Sequence, residues 1–229
     1  MERFCVILVR PEKPENIGLA ARGMKNTGVS DLRIVGLQGL HGPSYWTAVH
    51  ADDILDGASF YDGLPEAAAD CHCLAASTAR SRRHFTLVSL DEAVRSLTEF
   101  PSDTRIGLVF GNERTGLTVE EIGLANIRFH IPQVGRQPSY NLGVAVTLTL
   151  FQLMTAAGAA PPPGREKPLT HAEQEDSVRR FEALLDGKGF YHETNRAFIT
   201  ERVRDIFHRM VMTKKDRDIL LALFRKSLG

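Results

Sequence analysis

The sequence predicts an α/β fold built on a mainly parallel sheet. The first observation is a continuous apolar run from Phe4 to Val9, the pattern of a strand covered on both faces. The second is a series of further strand-length runs, at Leu32–Val35, Cys73–Ala76, Ile106–Phe110 and Arg128–Ile131. The third is that helix-length segments separate these runs, because strands that alternate with helices form parallel sheets.

The helices of this first part are predicted from periodicity and from residues that end helices. Asn16 to Thr27 has a helical pattern and stops at Gly28, a residue type that favours the helix C-terminus. Further helices are expected around Asp52–Asp56 and over Leu90–Glu99 and Val119–Leu124.

An uncharged segment, LGVAVTLTLFQLMTAAGAA, begins at Leu142 and has nearly the length of a membrane span. Thr147, Thr149 and Gln152 dilute its apolar character, and no flanking arrangement of charges and aromatic residues supports insertion into a bilayer. A buried helix is therefore the better interpretation.

The last third of the chain has a different pattern. Residues 157–170 are rich in Ala, Pro and Gly and show no hydrophobic periodicity, which is typical of a linker. Helices are predicted over Glu173–Leu185 and Thr200–Met210, and a last one begins after Thr213, with Asp216 completing a capping box. We expect a domain at 1–156, a linker at 157–170 and a helical extension at 171–229.

Composition sets limits on partners and location. The chain has 28 basic and 28 acidic residues, so an RNA site, if present, must be a local patch. Three cysteines do not make a disulfide framework in a chain of this length, which indicates a reducing compartment. The first residues, MERFCVILVR, read as a strand rather than a signal peptide. We expect a cytoplasmic protein with no membrane partner.

The tripeptide Cys71-His72-Cys73 raises the alternative of a metal site. It lacks a second ligand pair at zinc-site spacing, and in a strand the two thiols would share one face beside an apolar run. We therefore expect buried cysteines and no metal.

The first of three motifs is Asn16-Ile-Gly18-Leu-Ala-Ala-Arg22, at the start of the first predicted helix. Gly18 is expected to let the backbone turn closely. Arg22 lies near the positive end of the helix, where a cation is unfavourable unless an anion faces it, so a phosphate contact is one interpretation. A solvated surface arginine is the other.

The second motif, LVFGNERTGL, is an apolar strand that runs into a loop with Gly111 and Gly116. Ligands bind at such loops in open α/β sheets, although a simple strand-exit turn is the alternative. The motif is neither a Walker loop nor a dinucleotide fingerprint.

The third motif, IPQVGRQPSYNLGVA, joins a strand end to the apolar helix through a Pro/Gly loop and the triplet Ser139-Tyr140-Asn141. Ser139 and Asn141 are residue types that cap helices, which is the simpler explanation for either alone. A polar loop beside an apolar helix is also the mixture found in ligand pockets.

Together the three motifs resemble the TrmH/SpoU branch of the SPOUT methyltransferases. That family has N-x-G-x-x-x-R, then G-x-E-x-x-G-L, then I-P-x-x-G-x-x-x-S-x-N before a helix. The stretch ASTARSR, from Ala76 to Arg82, and the C-terminal helical pattern are similar to the TrmJ family within this branch. Tyr140 is a departure, because many relatives have leucine there.

The resemblance implies a fold, an activity and an assembly. The fold is a Rossmann-like domain that ends in a deep trefoil knot, with a small helical extension. The activity is transfer of a methyl group from S-adenosylmethionine to a ribose 2'-hydroxyl of tRNA, at nucleotide 32 (C or U) of the anticodon loop. The assembly is a homodimer with the apolar helix in its interface. Ribosomal RNA as the substrate and a non-catalytic RNA-binding SPOUT protein are the alternatives.

The same resemblance implies roles for residues. Arg22 is expected to reach the partner's cofactor, to grip a phosphate and to stabilise the developing alkoxide, because a guanidinium stays protonated and is a poor base. Asn16, Ser139 and Asn141 would orient these groups, and Glu113 would anchor the loops. RNA phosphates would meet Arg22, Arg80, Arg82 and Arg83. The methyl donor would contact Ser77, Thr78, Ala79, Gly111, Asn112, Glu113, Ile131, Gln133, Val134, Gly135, Ser139, Tyr140 and Asn141.

Overall fold

The structure, a computed structural model of the chain, describes residues 1–79, 85–134, 139–156, 166–191 and 196–227. The strands are β1 Phe4–Val9, β2 Asp31–Val35, β3 Ser59–Tyr61, β4 Cys73–Ser77, β5 Val88–Ser89, β6 Ile106–Phe110 and β7 Ile127–His130. The helices are α1 Pro14–Thr27, α2 Gly42–Ala48, α3 Asp52–Asp56, α4 Leu64–Ala67, α5 Leu90–Thr98, α6 Val119–Gly123, α7 Leu142–Ala156, α8 His171–Gly187, α9 Arg196–Arg209 and α10 Lys214–Ser227.

The seven strands form one sheet in the order β3-β2-β1-β6-β4-β7-β5, and every pairing is parallel. The predicted α/β class and its parallel sheet are confirmed. The strand order reverses beside β1, because β2 and β3 extend to one side and the later strands extend to the other. In open parallel sheets this reversal opens a crevice at the carboxyl ends of the strands, where ligands bind.

The five predicted strands are present, and two short edge strands were missed. β3 has three residues and β5 has two, which is too short for an apolar run to be visible in the sequence. Short helices α2 and α4 were missed as well. Edge strands of this length depend on a neighbouring strand for their hydrogen bonds, so pairing rather than local pattern determines them.

The sheet is covered on both faces, which explains the continuous apolar run of β1. Val6 and Leu8 belong to a core shared with α1, α5 and α7, whereas Ile7 and Val9 belong to a second core on the opposite face. Successive strand residues point to opposite faces, so a strand between two cores needs apolar residues at every position.

Helix α1 packs closely between α2 and α7. A Cβ atom on Gly18 would lie 2.0 Å from the Ser44 carbonyl oxygen and 2.2 Å from Thr47 Oγ1, both in α2. A Cβ atom on Gly23 would lie 2.1 Å from Thr147 Oγ1 in α7. The expectation that Gly18 serves a close turn is therefore wrong: Gly18 lies inside the helix and lets α2 approach its backbone.

Helix α7 is only half buried, which corrects the expectation of a buried helix. One face, including Val146, Leu150 and Leu153, packs into the main core. The opposite face exposes a stripe of four apolar side chains, Val144, Leu148, Phe151 and Met154, of which Phe151 is 55% exposed. Within the described residues, no helix is long and apolar enough to cross a membrane.

The three C-terminal helices have a small core of their own. It includes Leu169, Val178, Phe181 and Phe207, and α10 begins with the predicted capping box of Thr213 and Asp216. Residues 157–165 of the predicted linker lie outside the described residues. The division at 1–156, 157–170 and 171–229 stays a prediction.

An ion pair attaches this helical unit to the sheet. Arg128 of β7 donates to Asp205 of α9 at 3.0 Å, and both side chains are at least 90% buried. Asn126 donates to the backbone oxygen of His208, also in α9, at 2.7 Å. A buried charge pair is costly to break, so these contacts hold the unit in one position on the sheet.

All three cysteines are free and buried. Cys71 lies in the second core and Cys73 in the first, so the expectation that their thiols share one strand face is wrong. Cys71 precedes β4 rather than lying in it, which removes the strict alternation. Across the described ranges, no three His, Cys, Asp or Glu side chains are grouped to hold a metal ion.

Replacing Gly18 by Ala is expected to lower the free energy of unfolding by about 1–3 kcal/mol, because the new methyl group overlaps the backbone of α2. Urea denaturation measures this change. Gly123→Ala is the matched control, since no atom lies within 4 Å of the added Cβ and its effect should be near zero. Equal stability of Gly18→Ala and wild type would contradict the packing argument.

Candidate functional site

A cavity of about 450 Å³ opens at the carboxyl edge of the sheet, where β4, β6 and β7 end. Its lining begins with Ser77 at the end of β4, Phe110 at the end of β6, and Ile131 just after β7. The first turn of α7 closes one side through Leu142 and Ala145. Ligands of open parallel sheets bind at this carboxyl edge. The cavity lies beside the strand reversal rather than at it, because its lining includes no residue of β1. Its volume suits a molecule of a few hundred daltons.

The cavity brings together most of the residues expected to hold a cofactor. Those in its lining are Ser77, Thr78, Ala79, Gly111, Asn112, Glu113, Ile131, Gln133, Ser139 and Tyr140. Val134 is fully exposed and Asn141 lies outside the lining. Gly135, Arg80, Arg82 and Arg83 lie outside the described residues.

Sequence reasoning missed part of the lining. The additional residues are Phe110, Arg114, Thr115, Gly116, Leu117, Leu142 and Ala145. The first five belong to the second motif. Taking more of this motif as candidates, beyond Gly111, Asn112 and Glu113, would have found them. Leu142 and Ala145 belong to the third motif and line the cavity because α7 begins at Leu142.

The loop of the second motif has a compact, defined conformation. Gly116 has φ +70°, and its N–H donates to the Asn112 carbonyl oxygen at 2.8 Å. A Cβ atom on Gly111 would lie 2.5 Å from the backbone of Gly116, so the loop folds against itself only with glycine there. Asn112 Oδ1 accepts from the N–H groups of Arg114 and Thr115 at 2.9 and 3.0 Å. The loop is therefore more than a strand-exit turn.

A chain of hydrogen bonds joins all three motifs beside this cavity. Asn16 Nδ2, from the first motif, donates to Glu113 Oε1 of the second at 2.6 Å. Asn141 Nδ2, from the third, donates to Asn16 Oδ1 at 2.7 Å. Asn16 is 96% buried, so an unpaired amide there would be costly. We call this chain the Glu113–Asn16–Asn141 relay.

Glu113 also binds the backbone that leads into helix α1. Its carboxylate accepts the backbone N–H groups of Glu12 and Lys13 at 2.8 and 3.2 Å, just before the helix begins. Burial raises the pKa of Glu113, but the hydrogen bonds from Glu12, Asn16 and Lys13 outweigh it and hold the pKa below its usual range. Glu113 is therefore an anion that ties the cavity loop to the helix bearing Arg22.

Asn141 has two roles at once. Its Oδ1 accepts from the N–H of Gly143 at 2.9 Å, which caps the first turn of α7, while its Nδ2 joins the relay. Gly143 lies against Leu19 and Ala20 of α1. Asn141 is therefore both a capping residue of α7 and a member of the relay beside the cavity.

Ser139 and Tyr140 lie on the open side of the cavity. Both are exposed, and the Tyr140 hydroxyl donates to the Pro132 carbonyl oxygen at 3.1 Å, which links the two ends of the third-motif loop. A leucine at this position would have no such bond, so Tyr140 supplies a contact absent from the common pattern of the family.

Arg22 lies away from the cavity of its own chain. It is exposed on α1 and is not in the lining, and within the described residues no carboxylate forms an ion pair with it. It lies one turn after Leu19, and both Leu19 and Gly23 contact α7. Arg22 thus borders the helix whose outer face is apolar.

The fold and the site define a class: a parallel α/β protein with a ligand cavity at the carboxyl edge of its sheet, closed by a glycine loop and a capped apolar helix. The chain matches the SpoU rRNA methylase family over residues 3–151, which is more than half of its length. The chain belongs to the SpoU methylase family, and the resemblance on which its motifs were interpreted is confirmed.

Individual relatives agree with this assignment. TrmJ of Pseudomonas aeruginosa UCBPP-PA14, named a tRNA (cytidine/uridine/adenosine-2'-O-)-methyltransferase, is 31% identical over 242 residues, covering 99% of this chain and 94% of that protein. LasT of Escherichia coli K12, named an uncharacterized tRNA/rRNA methyltransferase, is 41% identical over 156 residues, covering 67% of this chain and 68% of that protein. The crystal structure of TrmJ from Z. mobilis ZM4 has a TM-score of 0.82 at 27% identity, covering 98% of this chain and 99% of that one.

Replacing Glu113 by Gln is expected to lower the free energy of unfolding by about 1–3 kcal/mol, because an amide places N–H groups against the donors of Asn16 and Lys13. Chemical denaturation at pH 7 measures the loss. Glu120→Gln is the matched control, since Glu120 is exposed on α6. If both variants were as stable as wild type, the relay would not hold α1 to the loop.

Proposed function

We propose that this protein is an S-adenosylmethionine-dependent tRNA ribose 2'-O-methyltransferase. The observation that carries the proposal is the Glu113–Asn16–Asn141 relay, because it joins the three motifs of the family around one cavity. The 31% identity to a tRNA 2'-O-methyltransferase over nearly the whole chain supports the choice of tRNA.

The cavity suits S-adenosylmethionine in size and in chemistry. Its volume of about 450 Å³ lies within the range of small-molecule sites, and its lining mixes apolar side chains with exposed backbone of three loops. Gly116, where no atom lies within 4 Å of an added Cβ, lets a ligand approach that backbone. The bound cofactor would supply an electrophilic methyl group on a positively charged sulphur.

The protein's own residues would position the ribose and stabilise charge. A 2'-hydroxyl that is already held in line with the methyl group loses little entropy on reaching the transition state, so positioning supplies much of the rate. Arg22 would bind the adjacent phosphate and stabilise the oxygen as it becomes anionic, and Ser139 would hydrogen-bond to the ribose. Asn16, Glu113 and Asn141 would keep the loops and α1 in register.

A homodimer accounts for two features that a single chain leaves unexplained. The exposed stripe of α7 is too apolar and continuous for an ordinary surface, and a two-fold interface would bury it against its own copy. Arg22 borders this helix but lies outside its own cavity. We place Arg22 at the cavity of the partner subunit, so that the dimer completes the site.

The finer parts of the proposal follow from the family pattern. They are a trefoil knot in the region of the third motif, nucleotide 32 of the anticodon loop as the target, additional RNA contacts by Arg80, Arg82 and Arg83, and action in the cytoplasm, where tRNA is modified. An experiment could instead find methylation of nucleotide 34, methylation of ribosomal RNA, or RNA binding without methyl transfer. Each of these results would replace the corresponding part of the proposal.

The experiment is methyl transfer from labelled S-adenosylmethionine to tRNA transcripts, with 2'-O-methyl sites mapped by mass spectrometry. The expected product carries one mark at nucleotide 32, and Arg22→Ala should abolish it while binding of S-adenosylmethionine is retained. A mark only in ribosomal RNA would overturn the choice of tRNA, and no mark in either RNA would overturn the activity.

A matched variant separates the role of Arg22 from a general loss of positive charge. Arg95 is exposed in the last turn of α5 and is not in the cavity lining. Arg95→Ala should therefore methylate tRNA at the wild-type rate. If Arg22→Ala also retained the wild-type rate, the assignment of Arg22 would be wrong.

Replacing Phe151 by Glu is expected to convert the dimer to a monomer, because it places a charge in the centre of the apolar stripe. Light scattering coupled to size exclusion measures the mass. Phe198→Glu is the control and should leave the mass unchanged, since Phe198 is 62% exposed but lies on α9. A wild-type protein of monomer mass would contradict the dimer, as would a Phe151→Glu variant of dimer mass.

A further inference from the structure

Arg114 lies at the mouth of the cavity and has no role in the proposal so far. We propose that its guanidinium binds the phosphate on the 3' side of the ribose that is methylated. This inference rests on the proposed function and adds a substrate-positioning residue to it.

The substrate calls for a second cation at this place, in addition to Arg22 of the partner subunit, because a ribose in an RNA chain is flanked by two phosphates. In RNA the 2'-hydroxyl and the 3'-phosphodiester are on neighbouring carbons of one ribose. A nucleotide that delivers its 2'-oxygen into the cavity therefore brings that phosphate to the rim. Phosphate contacts fix the register of a nucleic acid on a protein, and an uncompensated phosphate beside a carboxylate would be repelled.

The lining provides one candidate for this contact. Among the described residues, Arg114 is the only Lys or Arg in the lining, and Glu113 is the only Asp or Glu. The Glu113 carboxylate already accepts hydrogen bonds from Asn16, Glu12 and Lys13. Arg114 is therefore the side chain of the lining whose charge suits an anion at the mouth.

The backbone beneath Arg114 is held in place. Asn112 Oδ1 accepts from the Arg114 N–H at 2.9 Å, and Asn112 Nδ2 donates to the Arg10 carbonyl oxygen at the end of β1 at 2.8 Å. The Arg114 side chain is 79% exposed, and its Nε lies 3.7 Å from the half-exposed Glu12 carboxylate. An exposed ion pair of this length contributes little, so exchanging it for a bidentate phosphate contact is favourable.

Exposure also favours RNA over the cofactor as the source of the anion. The cofactor carries a carboxylate, but a ligand enclosed in the cavity would be met by side chains that turn inward. Arg114 stands at the rim with most of its surface in solvent, where a large substrate docks. We therefore assign Arg114 to the RNA backbone, and Arg22 to the site of the partner subunit.

The test compares Arg114→Gln, Arg114→Lys and Arg95→Gln in the full-length protein. Filter binding gives the Kd for tRNA between about 50 and 200 mM KCl, and calorimetry gives the Kd for S-adenosylmethionine. Arg114→Gln should weaken tRNA binding about fivefold to tenfold at low salt and reduce the salt slope by about 0.7–0.9, the loss of one phosphate contact. Cofactor affinity should stay within twofold.

Methyl-transfer kinetics and the other variants complete the comparison. Arg114→Gln should raise KM for tRNA and leave KM for the cofactor unchanged, Arg114→Lys should restore part of the affinity, and Arg95→Gln should match wild type. An unchanged Kd and salt slope for tRNA would overturn the inference. Weaker cofactor binding with normal tRNA binding would overturn it too, because the anion would then be the cofactor's carboxylate.

The wild-type control separates this inference from the proposed function. If wild type methylates tRNA and Arg114→Gln is indistinguishable from it, only the assignment of Arg114 fails. If wild type transfers no methyl group to tRNA, the proposed function itself fails.

Discussion

The structure depends on the Glu113 carboxylate, which accepts the backbone N–H groups of Glu12 and Lys13, just before helix α1, and the side-chain amide of Asn16 within it. Because one of the donors is the buried amide of Asn16, and Asn141 in turn donates to that amide, one anion connects the cavity loop, α1 and α7. Asn16, the middle member, is buried, and a buried polar group is stable only when its hydrogen bonds are satisfied. Its two partners therefore hold the loop, α1 and α7 in a single arrangement.

Close helix packing makes this connection geometrically possible. Gly18 and Gly23 of α1, together with Gly143 of α7, remove side chains where the helices touch. The backbones then come near enough for Asn141 at the start of α7 to reach Asn16 near the start of α1. Apolar burial drives the contact, but the small residues set its distance, and this distance determines whether the polar groups meet.

The site combines a fixed interior with charged groups toward solvent. Glu113 and Asn16 are engaged within the fold, whereas Arg114 and Arg22 project outward from elements that the relay holds in place. Preorganised charge is more effective than charge that must be ordered during the reaction. In our proposal the apolar stripe of α7 forms the dimer interface. The dimer would then bring Arg22 of the partner subunit to each cavity.

The sequence by itself determined the α/β class, the five longer strands, the C-terminal helices and the three motifs of the site. These features are local: apolar runs, helix-ending glycines, capping boxes and short motifs are legible along the chain. Gly111, Glu113 and Asn141 could be named as candidates in this way. So could the family, since three motifs in register are far more specific than any one of them.

Only the tertiary structure decided how these features act together. In it Gly18 lies in a helix contact rather than a turn, and Cys71 and Cys73 lie in different cores. One face of α7 is exposed. The tertiary structure added Arg114 to the cavity and showed that Asn16 is the centre of the relay. The physical reason is that burial, close approach and hydrogen-bond partners depend on residues far away in the sequence, 97 positions away for Asn16 and Glu113, which no local pattern specifies.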